Sequence, residues 1–219
     1  MQRVIRHHLT EALLMGYASG SLPEAFDLVV ASHVSMCDDC RAALAEYEAL
    51  GGEVLDHAAA SDVRADAFER TMDAIFAEPT AEDDRRPSPR AADDVLPAPL
   101  RDYVGGGLEA VRWRRIGGGV KQMILPTKGE GSVRLLHIPA GTALPDHSHG
   151  GCEMTLVLQG AFADSEDRFA AGDVEVADEY LHHTPKAEEG MDCICLAASD
   201  APLKFHGWLP KIAQRFARI

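Results

Sequence analysis

Three residues near the N-terminus have the side-chain types and the spacing of metal ligands. His33 and Cys37 are four positions apart, so on a helix both side chains leave the same face. Cys37 and Cys40 form a Cys-x-x-Cys step, which lets two thiolates turn toward one ion at a helix end. Zinc takes about four tetrahedral nitrogen and sulfur ligands, and these residue types suit it. The fourth ligand has to come from elsewhere, and the nearest supply is the pair His7-His8, between which chemistry alone does not choose.

A second set of ligand types lies in the C-terminal half of the chain. His147 and His149 are two positions apart, so a β-strand presents both on one side. Glu153 lies six positions beyond His147 and keeps the same parity in a regular strand. With His183 as a further candidate, three histidines and a carboxylate make a mixed nitrogen and oxygen site. Such a site suits zinc, iron, manganese or nickel.

The N-terminal pattern, His8 followed by His33-x-x-x-Cys37-x-x-Cys40, resembles the zinc-binding anti-sigma domain. That family is small and helical, and it holds extracytoplasmic-function sigma factors inactive by wrapping them. The resemblance selects His8 rather than His7, because the first histidine of the family lies at the distance of His8 from the His-x-x-x-Cys helix. It therefore implies a zinc ion held by His8, His33, Cys37 and Cys40.

The C-terminal pattern Gly141-x5-His147-Ser-His149-x3-Glu153-x6-Gly160 resembles the first cupin motif at every position. The second cupin motif is a weaker match, although His183 follows Gly172 at the distance of the last ligand. Here the usual Pro and Gly and a frequent Asn are replaced by Asp178, Tyr180 and Ala187. The resemblance implies an all-β barrel that holds a divalent metal, expected to be zinc, through His147, His149, Glu153 and His183.

Composition places the chain among soluble globular proteins. Its 219 residues allow one large or two small domains, and a hydrophobic content of 46% is ample for packed cores. No apolar run approaches the roughly 18–20 residues of a membrane span, and no signal pattern opens the chain, so a cytoplasmic location is expected. Five cysteines, two of them candidate ligands, do not suggest a disulfide scaffold.

Negative charge is concentrated at the front of the chain. The net charge is −14, and residues 1–78 contain 5 Lys and Arg against 14 Asp and Glu. Such a field repels nucleic acid and favours a basic protein partner, although solubility alone is an equally good reason for it.

Patterning predicts two domains of different type joined by a linker. Residues 1–78 read as an all-α bundle, residues 79–99 as a proline-containing linker, and residues 100–219 as an all-β cupin barrel. Helices are expected over Leu9–Ser19, from an N-cap at Ser21 to Met36, over Cys40–Leu50 with a cap at Asp38 or Asp39 and a stop at Gly51-Gly52, and over about Ser61–Phe76. Strands are expected at Val111–Ile116, Val120–Leu125, Val133–Ile138, Glu153–Leu158, Asp173–Ala177 and Asp192–Ala197.

The apolar side of the last expected helix allows two interpretations. Its Val63, Phe68, Met72 and Ile75-Phe76 lie on one side, which either packs on its own domain or remains free for the groove of a partner.

A helical zinc module, a linker and a cupin in this order resemble ChrR-type anti-sigma factors over nearly the whole chain. The resemblance implies that the helical module binds and occludes an extracytoplasmic-function sigma factor. It also implies that the cupin module is needed for the response to singlet oxygen and related oxidants, after which the complex dissociates. On this interpretation the protein is a regulator with no catalytic residues, and it contacts neither nucleic acid nor membrane.

Two functions of other classes compete with this interpretation. A metal-dependent cupin dioxygenase or isomerase with a helical appendage predicts turnover of a small molecule by the isolated segment Leu100–Ile219. A zinc-finger protein that binds nucleic acid is disfavoured, because the finger region has too few basic residues to contact phosphates.

The other cysteines carry weaker signals than the ligand motifs. Cys193 and Cys195 share a face of one strand and sit poorly for a disulfide, so we expect small core residues. Cys152 falls between two candidate ligands and is open to oxidation if it is exposed.

Overall fold

The computed structural model describes residues 4–77, 95–148, 150–201 and 204–205. A helical N-terminal region precedes a β-rich region, which confirms the predicted fold class. The helices are α1 (Glu11–Ala18), α2 (Glu24–Val34), α3 (Asp38–Asp56), α4 (Ala67–Ala77) and α5 (Ala98–Val104), and a short 3₁₀ turn covers Leu108–Ala110. No helix among the described residues is long and apolar enough to cross a membrane.

The β-rich region consists of twelve described strands in three antiparallel sheets. They are β1 (Arg114–Gly117), β2 (Val120–Leu125), β3 (Ser132–Ile138), β4 (His147–Ser148), β5 (Glu153–Gln159), β6 (Ala161–Ala163), β7 (Arg168–Ala170), β8 (Val174–Ala177), β9 (His182–His183), β10 (Lys186–Ala187), β11 (Cys193–Ser199) and β12 (Lys204–Phe205). The large sheet has the order β1-β2-β3-β11-β5-β8, and the small sheets have the orders β10-β6-β7 and β12-β4-β9. The predicted strands are present: Val120–Leu125 has the expected bounds, and the ends of the others are shifted by at most three residues.

Several helix ends differ from the sequence predictions. Ser21 is not the N-cap of α2, because Pro23 occupies that position and the helix begins at Glu24 with no side-chain cap. At α3 the cap is Cys37 rather than Asp38 or Asp39; its Sγ accepts a hydrogen bond from the backbone N–H of Cys40. The Cys37 side chain therefore takes the position in which an aspartate is usually found.

Two further boundaries were predicted wrongly for physical reasons. Helix α3 does not stop at Gly51-Gly52 but continues to Asp56, because glycine is a poor helix former and not an absolute terminator. Helix α4 begins at Ala67 rather than near Ser61. An Arg64–Asp66 ion pair lies just before it, at 2.9 Å from Nε to Oδ1.

Helix α2 lies at the centre of the molecule. It packs against α1, α3 and α5 on the helical side and against β3, β5 and β11 of the large sheet on the other. Ala25, Val29 and Val30 are fully buried there. One continuous apolar core therefore includes side chains of both the helical and the β-rich region.

Candidate metal centres

The first centre gathers the four residues expected to bind zinc. One donor atom from each of His8, His33, Cys37 and Cys40 lies within 4.8 Å of the other three. His33 Nε2 is 3.2 Å from Cys40 Sγ, and His8 Nδ1 is 3.3 Å from Cys37 Sγ and 3.5 Å from Cys40 Sγ. Ligand bonds of about 2.0 and 2.3 Å place nitrogen and sulfur about 3.5 Å apart around tetrahedral zinc. The donor set and its spacing therefore fit such an ion.

Three separate segments deliver these donors. His33 lies in the last turn of α2, Cys37 and Cys40 lie at the start of α3, and His8 comes from the extended segment before α1. The positive end of the α3 dipole favours negative charge on the two sulfurs. The end of α2 and the start of α3 are already joined by a hydrogen bond from the Cys37 N–H to the His33 carbonyl oxygen at 2.9 Å, and an ion here would tie the His8 segment to that turn.

Burial sets the protonation of this centre. It lowers the pKa of His33 to about 4, against the opposing effect of the Gly172 backbone carbonyl, so the imidazole is neutral and able to coordinate. Burial also raises the pKa of the Cys40 thiol to about 11. A cation is therefore needed to displace the thiol proton at neutral pH.

His7 and His8 have different surroundings, which separates the two candidates for the fourth ligand. The His7 ring packs on Phe169 with the ring centroids 4.5 Å apart, and its Nε2 is 3.0 Å from Asp167 Oδ2. His7 thus faces the β-rich region, whereas His8 faces the two cysteines. Alternation along the extended segment turns neighbouring side chains in opposite directions.

The second centre lies where β4 and β9 pair. His147 and His183 are directly opposite each other in the antiparallel register, both are buried, and their ring centroids are 4.8 Å apart. Glu153 begins β5, which is the next strand along the chain but belongs to the large sheet. Its negative charge opposes the lowering of the Arg134 pKa by burial. His149, the remaining expected ligand, lies outside the described residues.

Hydrogen bonds orient both imidazoles of this centre in the same way. His147 Nδ1 is 2.8 Å from the Pro145 carbonyl oxygen, and His183 Nδ1 is 2.7 Å from Asp164 Oδ2. A protonated Nδ1 in each ring puts the coordinating lone pair on Nε2, an arrangement usual for metal-ligating histidines. Of the described residues, Asp164, Glu175 and His183 bring their donor atoms within 4.8 Å of one another, a spacing that could hold a metal ion. His147 and Glu153 are not in that group, and His182 is exposed.

Asp164 and Glu175 are buried carboxylates beside His183 that sequence reasoning missed. Their carboxylates are 0% and 8% exposed, and Glu175 Oε1 lies 3.3 Å from His183 Nδ1. Burial by itself lowers the pKa of His183, but the hydrogen bonds and charges of Glu175 and Asp164 outweigh it and raise that pKa. Alternation along Val174-Glu175-Val176 predicts an outward Glu175, whereas the structure buries Glu175 and exposes Val176, so no local pattern in the sequence signals this residue.

The remaining cysteines are core or half-buried residues. Cys193 and Cys195 are fully buried with their sulfurs 3.4 Å apart and no disulfide between them, as expected for small core side chains. The hydrogen bond to Cys193, together with burial, raises the pKa of Cys195 far above its usual range. Cys152 is half-buried, and burial and Asp200 raise the pKa of its thiol.

A helical unit with two histidines and two cysteines around one point, joined to a cupin-type β region, defines a regulator of the anti-sigma class. Residues 104–201 match the family described as the ChrR cupin-like domain. Over 215 residues the chain is 54% identical to the anti-sigma-E factor ChrR of Cereibacter sphaeroides, covering 98% of this chain and 99% of that protein. This chain belongs to the ChrR family of anti-sigma factors.

A solved structure supports the same assignment. The crystal structure of Rhodobacter sphaeroides SigE in complex with the anti-sigma factor ChrR matches with a TM-score of 0.76 and 52% identity, over 90% of this chain and all of that chain. Family membership confirms the interpretation of the protein as a transcription regulator and not as a dioxygenase or isomerase.

Proposed function

We propose that this protein binds an extracytoplasmic-function sigma factor in the cytoplasm and silences it. The observation that carries the proposal is a row of exposed apolar side chains on the outer part of α3 and on α4, defined here as the outer apolar stripe. Isolated monomers rarely expose such a row, which is typical of a surface that a partner covers. The stripe consists of Leu50, Val54 and Leu55 of α3 and Phe68, Ile75 and Phe76 of α4, each at least 60% exposed.

The form of the stripe suits a groove in a folded partner. Phe68 and Phe76 are eight positions apart, with Ile75 beside them, so they follow one face of α4. No residue of α4 is buried in the described part of the chain. An amphipathic helix that leaves its apolar face uncovered docks by inserting that face into a hydrophobic groove.

The negative charge of the N-terminal region also favours a sigma factor as the partner. Residues 1–78 carry 14 acidic and 5 basic residues. A sigma factor binds DNA through basic surfaces, which an acidic inhibitor both attracts and covers. The relative in the solved complex is bound to the sigma factor SigE, which supports the assignment of this partner class.

The first centre is proposed to hold zinc through His8, His33, Cys37 and Cys40. Zinc, when bound, supplies four ligand bonds to a unit whose helices are short. His33 and the cysteines fix the turn between α2 and α3, and His8 attaches the N-terminal segment to that turn. The direction in which the first half of α3 leaves this turn depends on this attachment.

The second centre is proposed to hold a divalent metal, with zinc expected, through His147, His149, Glu153 and His183. We infer that this centre receives the oxidant signal, singlet oxygen or a related species, that ends inhibition. The buried ring pair and the carboxylates behind His183 support a preorganised site in the β-rich region. Replacement of His147 by Ala should therefore leave the sigma factor bound after exposure to oxidant.

Co-expression with a candidate sigma factor tests the inhibitory function. We expect a 1:1 complex on size exclusion and loss of transcription from the promoter of that sigma factor. The variant Cys37→Ser with Cys40→Ser should give neither, whereas Cys193→Ser, which lies in the β-rich core, should give both. A zinc-loaded wild-type protein that binds no sigma factor would contradict the proposal.

A further inference from the structure

One short turn contacts both candidate metal centres. It comprises Gly172 and Asp173 and the first two residues of β8, Val174 and Glu175. On one side it holds the residues just before His8, and on the other it reaches His183. We propose that this turn couples the two centres, with Asp173 as the positioning residue that holds the His8 segment against the β-rich region. This inference rests on the two metal centres of the proposed function.

Asp173 fixes the backbone immediately before the His8 ligand. Its Oδ1 accepts hydrogen bonds from the N–H of Arg6 at 2.7 Å and of His7 at 3.0 Å. The N–H of Val174 donates to the His7 carbonyl at 3.1 Å. The backbone of Arg6 and His7 is thus bound both through its N–H groups and through the His7 carbonyl. The next residue along the chain is His8.

The same carboxylate is anchored within its own domain. Asp173 is 2% exposed, and its Oδ2 accepts a hydrogen bond from the Ala170 N–H at 2.8 Å. A buried carboxylate that accepts three backbone N–H groups holds a defined position, because each charge-assisted bond is lost if it moves. Asp173 therefore transmits displacement of the turn to the N-terminal segment and does not absorb it.

Gly172 allows the close approach of the two parts. It has a φ of +104°, and a Cβ at this position would lie 2.7 Å from Ile5 Cγ1. Only glycine accommodates both the conformation and the neighbour. The absence of a side chain at position 172 thus lets Ile5 pack directly on the turn.

The other end of the turn reaches the cupin centre. Glu175 lies two residues beyond Asp173, and its Oε1 is 3.3 Å from Nδ1 of His183. Asp164 contacts the same nitrogen at 2.7 Å, so His183 cannot tilt without disturbing buried carboxylates. A single residue, Val174, therefore separates the support of one centre at Asp173 from the support of the other at Glu175.

The exposure of the ligands indicates which ligand of the first centre is released when the second centre is disturbed. His8 is exposed, whereas His33, Cys37 and Cys40 are buried between α2 and α3. His8 is thus the ligand that can leave while the helices stay packed. When the cupin centre is disturbed, the turn loosens the His8 segment first.

A double-mutant cycle on full-length, zinc-loaded protein tests the coupling. The readout is the rate at which N-ethylmaleimide alkylates Cys37 and Cys40, measured by peptide mass spectrometry, since metal-bound thiolates are protected. In the wild-type background we expect His183→Ala to raise this rate about tenfold, a typical size for coupling between sites. In the Asp173→Ala background the same substitution should change the rate less than about twofold.

Two further variants keep the test decisive. Asp192→Ala is the matched control, because Asp192 also accepts a backbone N–H, that of Ala140, on a turn that does not hold the N-terminal segment. In the Asp192→Ala background, His183→Ala must still raise the alkylation rate of Cys37 and Cys40 about tenfold. If Asp173→Ala does not fold, Arg6→Pro removes one N–H donor from outside the β-rich region and should uncouple the centres in the same way.

An equal response to His183→Ala with and without Asp173, or no response in the wild-type background, would overturn the inference. The assay contains no sigma factor, so its outcome is independent of whether the protein binds one. Conversely, an intact coupling in a protein that forms no sigma-factor complex would contradict only the proposed function.

Discussion

Helices α2 and α4 are each eleven residues long but have opposite surroundings. Eight residues of α2 are buried, against helices on one side and the large sheet on the other. None of α4 is buried among the described residues, and its aromatic side chains face solvent. The comparison shows that α2 stabilises the fold through burial whereas α4 contributes little to it, as expected if α4 belongs to the proposed sigma-factor surface.

The largest expected effect comes from a charge placed in α2. Val29 is fully buried, so Val29→Asp introduces an unpaired carboxylate into the core and should lower the free energy of unfolding by about 4 kcal/mol or more. Chemical denaturation followed by circular dichroism measures this loss. The matched variant Phe76→Asp on α4 should change it by less than about 0.5 kcal/mol. Equal losses would mean that α4 packs on its own domain.

For affinity toward the sigma factor, substitutions in α4 are expected to matter although they hardly change the stability of the protein. Phe68→Ala and Phe76→Ala should each weaken the sigma-factor complex by about 2 kcal/mol or more, roughly thirtyfold in Kd, because buried aromatic anchors dominate interfaces. Titration calorimetry measures the change, and the free energy of unfolding should stay constant. Arg70→Gln, on the opposite side of α4, serves as control, and a similar loss of affinity there would argue against the outer apolar stripe.

The proposed metal ligand that precedes α1, His8, can be compared with its neighbour His7. His8→Ala should weaken zinc binding at the first centre by at least about a hundredfold, because it removes a direct ligand. His7→Ala should weaken it by less than about threefold, since His7 packs on Phe169 and bonds to Asp167. Competition with a chromophoric chelator measures both. Equal losses would show that the two histidines share the ligand role.

The smallest effect concerns the contact that holds the start of α2. The Tyr103 hydroxyl donates to Glu24 Oε1 at 2.6 Å, which joins α5 to α2 and raises the pKa of Tyr103 to about 12. The neutral phenol is thus favoured in the folded protein. This contribution is complete below the ordinary tyrosine pKa near 10 and is lost as pH rises from there toward 12.

Tyr103→Phe should therefore lower stability slightly at pH 8 and leave it unchanged relative to wild type above pH 12. Thermal unfolding at several pH values measures this difference. A loss that does not depend on pH would assign the effect to packing and not to the hydrogen bond.

Residue types and spacing were sufficient to predict the fold class and most of the first centre. Side-chain periodicity identifies a helical and a strand-rich part, and the His33, Cys37 and Cys40 spacing depends only on local helix geometry. His8 required either family resemblance or coordinates, because local chemistry treats His7 and His8 alike. The contacts of His7 with Asp167 and Phe169 come from 160 or more positions away and leave no local pattern.

Asp164 and Glu175 were also missed because their contacts come from distant parts of the chain. Asp164 and Glu175 support His183 only because β6, β8 and β9 converge, and that convergence depends on the register of distant strands. The N-cap at Cys37 was missed because aspartate is the statistically favoured cap and two aspartates follow directly. A thiol at this N-cap position follows from the proposed role of Cys37 as a zinc ligand.

The glycine pair inside α3 has a mechanical consequence. Gly51 and Gly52 lie within a continuous helix, with no atom within 4 Å of where their Cβ atoms would be. Glycine in a helix interior costs about 0.5–1 kcal/mol relative to alanine, and two in succession make this the softest point of the helix. The segment beyond them, with Val54 and Leu55, can pivot on the first half of α3 and adjust its angle to a curved binding surface without straining the candidate metal centre at the other end.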